Sequence, residues 1–454
     1  MELIAVRPQP GSARPYRFPS VVRVAVAGGE VVAAHLPGHR LAVAVLLLDA
    51  GAGREPVGRE GLAAVVAKAL EEGTTQRDAA GYALALERLG SQLSIFVDWD
   101  AFRASVQVEV DHLRPAVELL AEAVRSPRLD PADVTRVRDD EVTALRMYWA
   151  NPGPRADAAL RADLFGTDVR AGRPMDGDPA SVSSVTVDDV TGYHADWLTR
   201  PGTLLVVGDL DRIDLAQLGA VAFSGAAGEP VEPGIPLDVA MRTDRRILLV
   251  DRPGSVQSTL RLGHTAPHRA HPDYVPMRLA GTVLGGAFTS RLNHLLREVR
   301  GYTYGVRADF GLSRRFGRFV TSAGVQTEVT APALVDAVAE IARTQAEGVP
   351  EEELAVARAW RAGQLSVELQ TPGAIANALA TVVTYGFPDD YHARLREQLL
   401  SADAAEVSAA ATAYLRPRGL TLVVEGDAAA IRDDLAATGL GEVVNATGLY
   451  PGLD

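Results

Sequence analysis

The sequence predicts an α+β protein of two tandem homologous domains, each a mainly antiparallel sheet packed with helices. Three observations carry this. The chain has 454 residues, enough for two to four folding units at roughly 100–200 residues per domain. Strand-like and helix-like segments are mixed without strict alternation, which argues against a doubly wound parallel sheet. The third observation is an internal repeat. The segment Trp197-Leu198-Thr199-Arg200-Pro201-Gly202-Thr203-Leu204-Leu205-Val206-Val207-Gly208-Asp209 returns at an offset of 217 as Tyr414-Leu415-Arg416-Pro417-Arg418-Gly419-Leu420-Thr421-Leu422-Val423-Val424-Glu425-Gly426-Asp427. Both copies run from a helix end through a Pro/Gly turn into an apolar strand. The helix starts Leu129-Asp130-Pro131-Ala132-Asp133 and Val349-Pro350-Glu351-Glu352-Glu353 form a second pair, their prolines 219 residues apart. Between Ala226 and Leu237, Gly228, Pro230, Pro233, Gly234 and Pro236 read as a linker. The first domain is therefore placed at residues 1–230 and the second at 238–454.

The elements of the first half follow in order. Val21 to Leu36 reads as a hairpin turning at Gly28-Gly29, and Leu41 to Asp49 as a buried strand, apolar almost throughout. A helix is expected from about Gly61 to Leu70. Tyr82, Leu86 and Leu89 lie at helical spacing before a glycine stop at Gly90. Leu93, Ile95 and Val97 alternate with polar neighbours, Asp98-Trp99-Asp100 turns the chain, and Phe102, Ala104, Val106, Val108 and Val110 alternate on the return. Two apolar stripes then mark helices, Val117-Leu120-Ala121-Val124 and Val134-Val137-Val142-Leu145.

Composition excludes several classes. Apolar residues make up 47% and charged residues 23%, as in ordinary folded proteins. A net charge of -13 argues against a nucleic-acid partner, since phosphate binding needs clustered cations; as a bulk property it favours basic peptides over acidic ones. Without cysteine there is no disulfide, thiolate nucleophile or cysteine zinc site. The start Met1-Glu2-Leu3-Ile4-Ala5-Val6-Arg7-Pro8 has no secretory pattern, so a cytoplasmic location is expected. The longest apolar run, Leu41 to Leu48, falls far short of the ~20 residues that cross a bilayer, and no membrane association is expected. Of the 45 basic residues only Lys68 is a lysine.

No phosphate-cradling glycine loop and no Gly-x-Ser-x-Gly elbow occurs in a strand-to-helix setting. His264, His268 and His271 form the one histidine cluster, but Pro267 and Pro272 break a common helix, so a solvated loop without metal is expected. His35 and His39 flank a Pro-Gly turn and are read as turn residues.

Gly61-Leu62-Ala63-Ala64-Val65-Val66-Ala67-Lys68-Ala69-Leu70-Glu71-Glu72-Gly73-Thr74 resembles the metal-binding helix of the insulinase/pitrilysin zinc peptidases, which include the mitochondrial processing peptidase group. There a Gly-Leu-Ala…Gly-Thr frame encloses H-x-x-E-H. The resemblance extends to Met147-Tyr148-x-x-Asn151-Pro152, and to Leu284-Gly285-Gly286-x-x-x-Ser290-Arg291-Leu292 running into Leu296-Arg297-Glu298-Val299-Arg300-Gly301-Tyr302-Thr303-Tyr304. It spans essentially the whole chain. In that frame the first histidine is replaced by Ala64, the catalytic glutamate by Ala67, the second histidine by Lys68, and the third ligand, normally glutamate, by Ala144. Zinc needs three protein donors, and its attacking water needs a base. Methyl groups supply neither, and an ammonium donates without offering a lone pair. Lys68 is either a solvated helix residue or a fixed cation standing where the ion would be.

Arg297 and Tyr304 match the family's arginine-tyrosine pair, which in a closed two-subunit clam reaches substrate at the zinc of the opposite wall. On spacing alone they would be a solvated helix residue and a core aromatic. The resemblance implies a non-catalytic subunit of a heterodimeric zinc metallopeptidase. It implies no cofactor in this chain, zinc in a homologous catalytic partner, and peptides or unfolded polypeptide as substrate. The alternative is a structural or peptide-binding pseudopeptidase with no part in catalysis.

Overall fold

In the computed structural model the described residues are 17–450 apart from 233, 235 and 238–241. The expected signal-free start Met1 to Pro8 and the linker residue Pro233 lie outside them. The chain forms two six-stranded sheets. The first contains β1 (Val21–Val26), β2 (Gly29–His35), β3 (Leu41–Leu48), β4 (Ser94–Val97), β5 (Phe102–Glu109) and β6 (Gly202–Gly208) in the order β1-β2-β6-β3-β5-β4. The second contains β7 (Arg246–Asp251), β8 (Gln257–Ala266), β9 (Val306–Leu312), β10 (Gly317–Gln326), β11 (Thr421–Gly426) and β12 (Glu442–Asn445) in the order β12-β7-β11-β8-β10-β9.

The repeat is visible in this topology. The pair β2 and β6 is parallel, as is its counterpart β7 and β11, and β3 and β8 lie at the same place in each sheet. The outermost strands beside β2 and β7 differ: antiparallel β1 precedes β2 in the chain, whereas parallel β12 arrives from the far end. The α+β class with mainly antiparallel pairing is the one the sequence predicts.

β3 is apolar throughout because both its faces are buried. Ala42, Ala44, Leu46 and Leu48 belong to one core with the helices Leu62–Ala69 and Leu113–Arg125. Val43, Val45 and Leu47 point the other way and meet Ile375, Ala376, Leu379 and Ala380 of the helix Pro372–Tyr385. That covering helix comes from the second half of the chain. The exchange is reciprocal: Pro154–Phe165, from the first half, packs on β8 and β11 of the second sheet. Both helices start on a proline, 218 residues apart, so they are equivalent members of the repeat.

The buried carboxylate Glu425 on β11 accepts the Gly153 N–H at 2.9 Å and lies 3.3 Å from Arg252, which also donates to Ala150 O. This fastens the entry of the exchanged helix to the second sheet. Glu55 fixes the motif helix in a similar way. Its carboxylate accepts the N–H groups of Ala63 and Gly61 at the helix N-terminus and pairs with buried Arg170 at 2.6 Å. Gly61 itself is left-handed (φ 90°), and a Cβ there would meet Val182 and the Asp176 carbonyl, so only glycine fits.

One expectation fails. His264 is not in a solvated loop; it is a buried residue of β8, stacked on Phe319. Pro267 marks the end of that strand rather than an irregular run. His264 Nδ1 donates to Thr265 O at 2.8 Å while Nε2 accepts the Arg416 N–H at 3.3 Å, which uses both ring nitrogens in a neutral ring. Burial pushes its pKa down to about 4. Because the unfolded histidine titrates near 6.5, stability is complete above that value and falls as pH drops from 6.5 toward 4, by about 3 kcal/mol at 1.36 kcal/mol per unit. His264→Gln should flatten this limb, and urea midpoints measured between pH 7 and 4 check it.

Candidate functional site

The helix Leu62–Ala69 packs its Leu62, Ala63, Val65, Val66 and Ala69 into the core and lies against Pro131–Trp149. Ala64 is half-buried, Ala67 is 8% exposed, and Lys68 and Ala144 are exposed. This set holds three methyls and one ammonium, and does not fit zinc. Near Lys68, burial raises the Glu71 carboxyl, Lys68 draws it back down and Glu72 adds to the rise. The Gly73-Thr74 end of the frame is a scaffold: Thr74 Oγ1 accepts the Arg77 N–H at 3.0 Å and donates to Glu122. These roles need no metal, which explains why the frame is present without the ligands.

Among the described residues, one other group brings metal-type donors together, His35, Asp209 and Asp211. His35 ends β2, and its Nδ1 accepts the Leu210 N–H at 3.0 Å, so the remaining proton lies on Nε2, which faces Asp211 at 3.5 Å. The arrangement is a hydrogen-bonded turn with its imidazole lone pair already used.

The second half carries an open cavity of about 590 Å3, lined by Pro152, Arg261, Phe288, Arg297, Tyr304 and Arg307 among others. Its floor is the face of β8, β10 and β9 turned away from their own helices. Arg297 lies on a π-helical segment, Asn293–Val299, a wide turn frequent at functional sites. Its guanidinium sits 3.6 Å over the Phe288 ring and donates to Glu298 at 2.7 Å, leaving the side chain 17% exposed. Tyr304 is 97% exposed, with no hydrogen bond to any described residue. It is therefore not a core aromatic. The structure places both residues on the rim of one cavity.

Sequence reasoning missed the residue that sets their spacing. Buried Asn293 accepts the Val306 N–H at 2.9 Å and donates to Val306 O at 2.8 Å, to Ser290 Oγ at 3.0 Å and to Ala287 O at 3.2 Å. It ties the arginine-bearing segment to the first residue of β9, two residues after Tyr304. Gly285 lets the preceding segment approach that strand, since a Cβ there would stand 2.5 Å from the Ala308 Cβ. Arg291 is also structural: it is buried, with a fork to Glu353 at 2.7 and 3.1 Å. Asn293→Ala should cost about 1–3 kcal/mol for each Val306 group left unpaired. Urea unfolding measures the loss.

Two matching sheets, with a metal-motif helix that lacks donors in the first half, define a non-catalytic homologue of a metallopeptidase. The chain belongs to the insulinase family, peptidase family M16: the insulinase model matches residues 30–173 and the model of the peptidase M16 inactive domain matches residues 184–359. It is 27% identical over 338 residues to an uncharacterized zinc protease of Mycobacterium leprae, covering 71% of this chain and 76% of that one. It is also 22% identical over 372 residues to the non-peptidase homolog YmxG of Helicobacter pylori, covering 80% and 84%. The crystal structure of a peptidase M16 inactive domain from Pseudomonas fluorescens superposes with a TM-score of 0.82 at 25% identity, covering 89% of this chain and 98% of that one. Among the described residues no helix is long and apolar enough to cross a membrane.

Proposed function

We propose that this chain is the non-catalytic subunit of a two-chain zinc peptidase, acting in the cytoplasm. A homologous partner holds the zinc, and this chain holds no cofactor. Its second half faces the partner's first half across a chamber that encloses peptides or unfolded segments. The observation carrying this reading is the exposed Tyr304 beside Arg297 on the rim of the open cavity. A phenol with no hydrogen-bond partner among the described residues is available to donate to an oxyanion formed on the facing wall, and an arginine fork can hold peptide carbonyls. The test is co-expression with a homologous chain that keeps H-x-x-E-H. A one-to-one complex that cleaves unfolded polypeptide, when neither chain alone does, is the expected result. A partner fully active by itself would favour a structural or binding role for this chain.

A further inference from the structure

The cavity beside Arg297 and Tyr304 has a charge opposite to that of the whole molecule. The protein carries -13 overall, yet the cavity lining holds three guanidiniums, Arg261, Arg297 and Arg307, and no carboxylate. Strand register explains the cluster. Ser322 on β10 pairs with Arg261 on β8 and with Arg307 on β9, so the three residues form one row across neighbouring strands. Residues directly opposite in antiparallel strands share a face. Arg261 and Arg307 therefore flank the Ser322 hydroxyl on the cavity floor, two strand spacings apart.

Their existing partners leave this row short of negative charge. Arg261 is held by Asp157 at 3.1 Å, and Arg297 by Glu298 at 2.7 Å. Arg307 is exposed and has no ion pair or hydrogen-bonded side-chain partner among the described residues. The distant acidic groups do not cancel this, because charges more than a Debye length away, about 8 Å at physiological salt, are largely screened.

We infer that this wall selects peptides carrying a carboxylate, seated between Arg307 and Arg261 above Ser322. The inference rests on the reading of the cavity as a peptide-binding wall. Guanidinium forks match carboxylates in a planar, bidentate geometry, which makes such a pair directional as well as attractive. Two sources share that chemistry, an Asp or Glu side chain within the peptide and a free C-terminal carboxylate. Bulk composition suggested basic peptides; the local lining points the other way.

The test titrates the full chain with labelled heptapeptides of sequence Ala-Val-Thr-Glu-Thr-Val-Ala, acetylated and amidated, against twins with Gln or Lys in place of Glu. A fourth peptide is the Gln twin with a free C-terminus. The Glu peptide should bind about tenfold or more tightly than the Gln twin at low salt, as charge-assisted bonds do, with the ratio shrinking as salt rises. Arg307→Gln should bring the ratio close to one, and Arg307→Lys should retain part of the preference. If the free-carboxylate twin binds more tightly than the amidated Glu peptide, the terminal carboxylate is the preferred source; if it binds no better than the amidated Gln twin, the source is the Glu side chain. Equal affinity for Glu and Gln, or a preference for Lys, overturns the inference while the peptide-binding wall stands. Failure of every peptide to bind overturns that wall and this inference with it. Arg307 lies exposed on an edge strand, so its variants should fold, and circular dichroism confirms that they do.

Discussion

Tyr304→Phe should lower the kcat of the assembled two-chain complex by about 10²–10³, the usual effect of removing one donor to a developing oxyanion. Assembly should survive, because the hydroxyl is exposed and bonded to no described residue of its own chain. Arg297→Ala should act differently. A guanidinium gripping the substrate contributes to the ground state as well as the transition state, so KM should rise as kcat falls. Its loss also removes the cation over Phe288 and one of the two partners of Glu298, the other being His294, which makes Arg297→Lys, charged but without the planar fork, the better control. Turnover is to be measured on complex purified by size exclusion, with the partner unmodified. Wild-type turnover from both mutants would remove this chain from the catalytic account.

The second large effect concerns the first half. Restoring the family's donors by Ala64→His, Ala67→Glu, Lys68→His and Ala144→Glu should give a chain that holds one equivalent of zinc after dialysis, where the natural chain is expected to hold none. Ala64 and Lys68 lie one helical turn apart on a common face, and Ala144 is exposed on the helix packed against them, so larger side chains have room at three of the four positions. Ala67 is the tight one, at 8% exposure. Activity need not accompany binding, because turnover depends in addition on outer hydrogen bonds that orient the ligands, which the four substitutions do not supply. A folded quadruple mutant with no gain in zinc would show that the motif register is wrong.

Much of the fold was legible because its signals are local. The Gly28-Gly29 hairpin, the alternating return strand β5 and the two stripes on Leu113–Arg125 and Pro131–Trp149 follow from periods of two and 3.6. The unbroken apolar run of β3 said that both faces are buried, but not by what. The covering helix Pro372–Tyr385 lies more than three hundred residues later, and no local period encodes that contact. His264 was misread for a related reason: two prolines suggested a loop, whereas the strand ends one residue before Pro267. At the candidate site, the sequence supplied Arg297 and Tyr304 through their resemblance to a known pair. The row Arg261, Ser322 and Arg307 was invisible, because three strands must come into register before the charges become neighbours.

The crossing of Pro154–Phe165 and Pro372–Tyr385 is the geometry of a domain-swapped dimer contained within one chain. Two copies of a single-sheet ancestor, each lending its helix to the other, would yield this molecule once a linker joined them. The exchange then makes the halves obligate companions. Chains severed between Ala226 and Leu237 should remain associated, since separation would strip the apolar second face from both sheets at once. Heat should likewise undo the two sheets in a single cooperative step. In this architecture the linker is dispensable for cohesion, and the helices serve as the fastener.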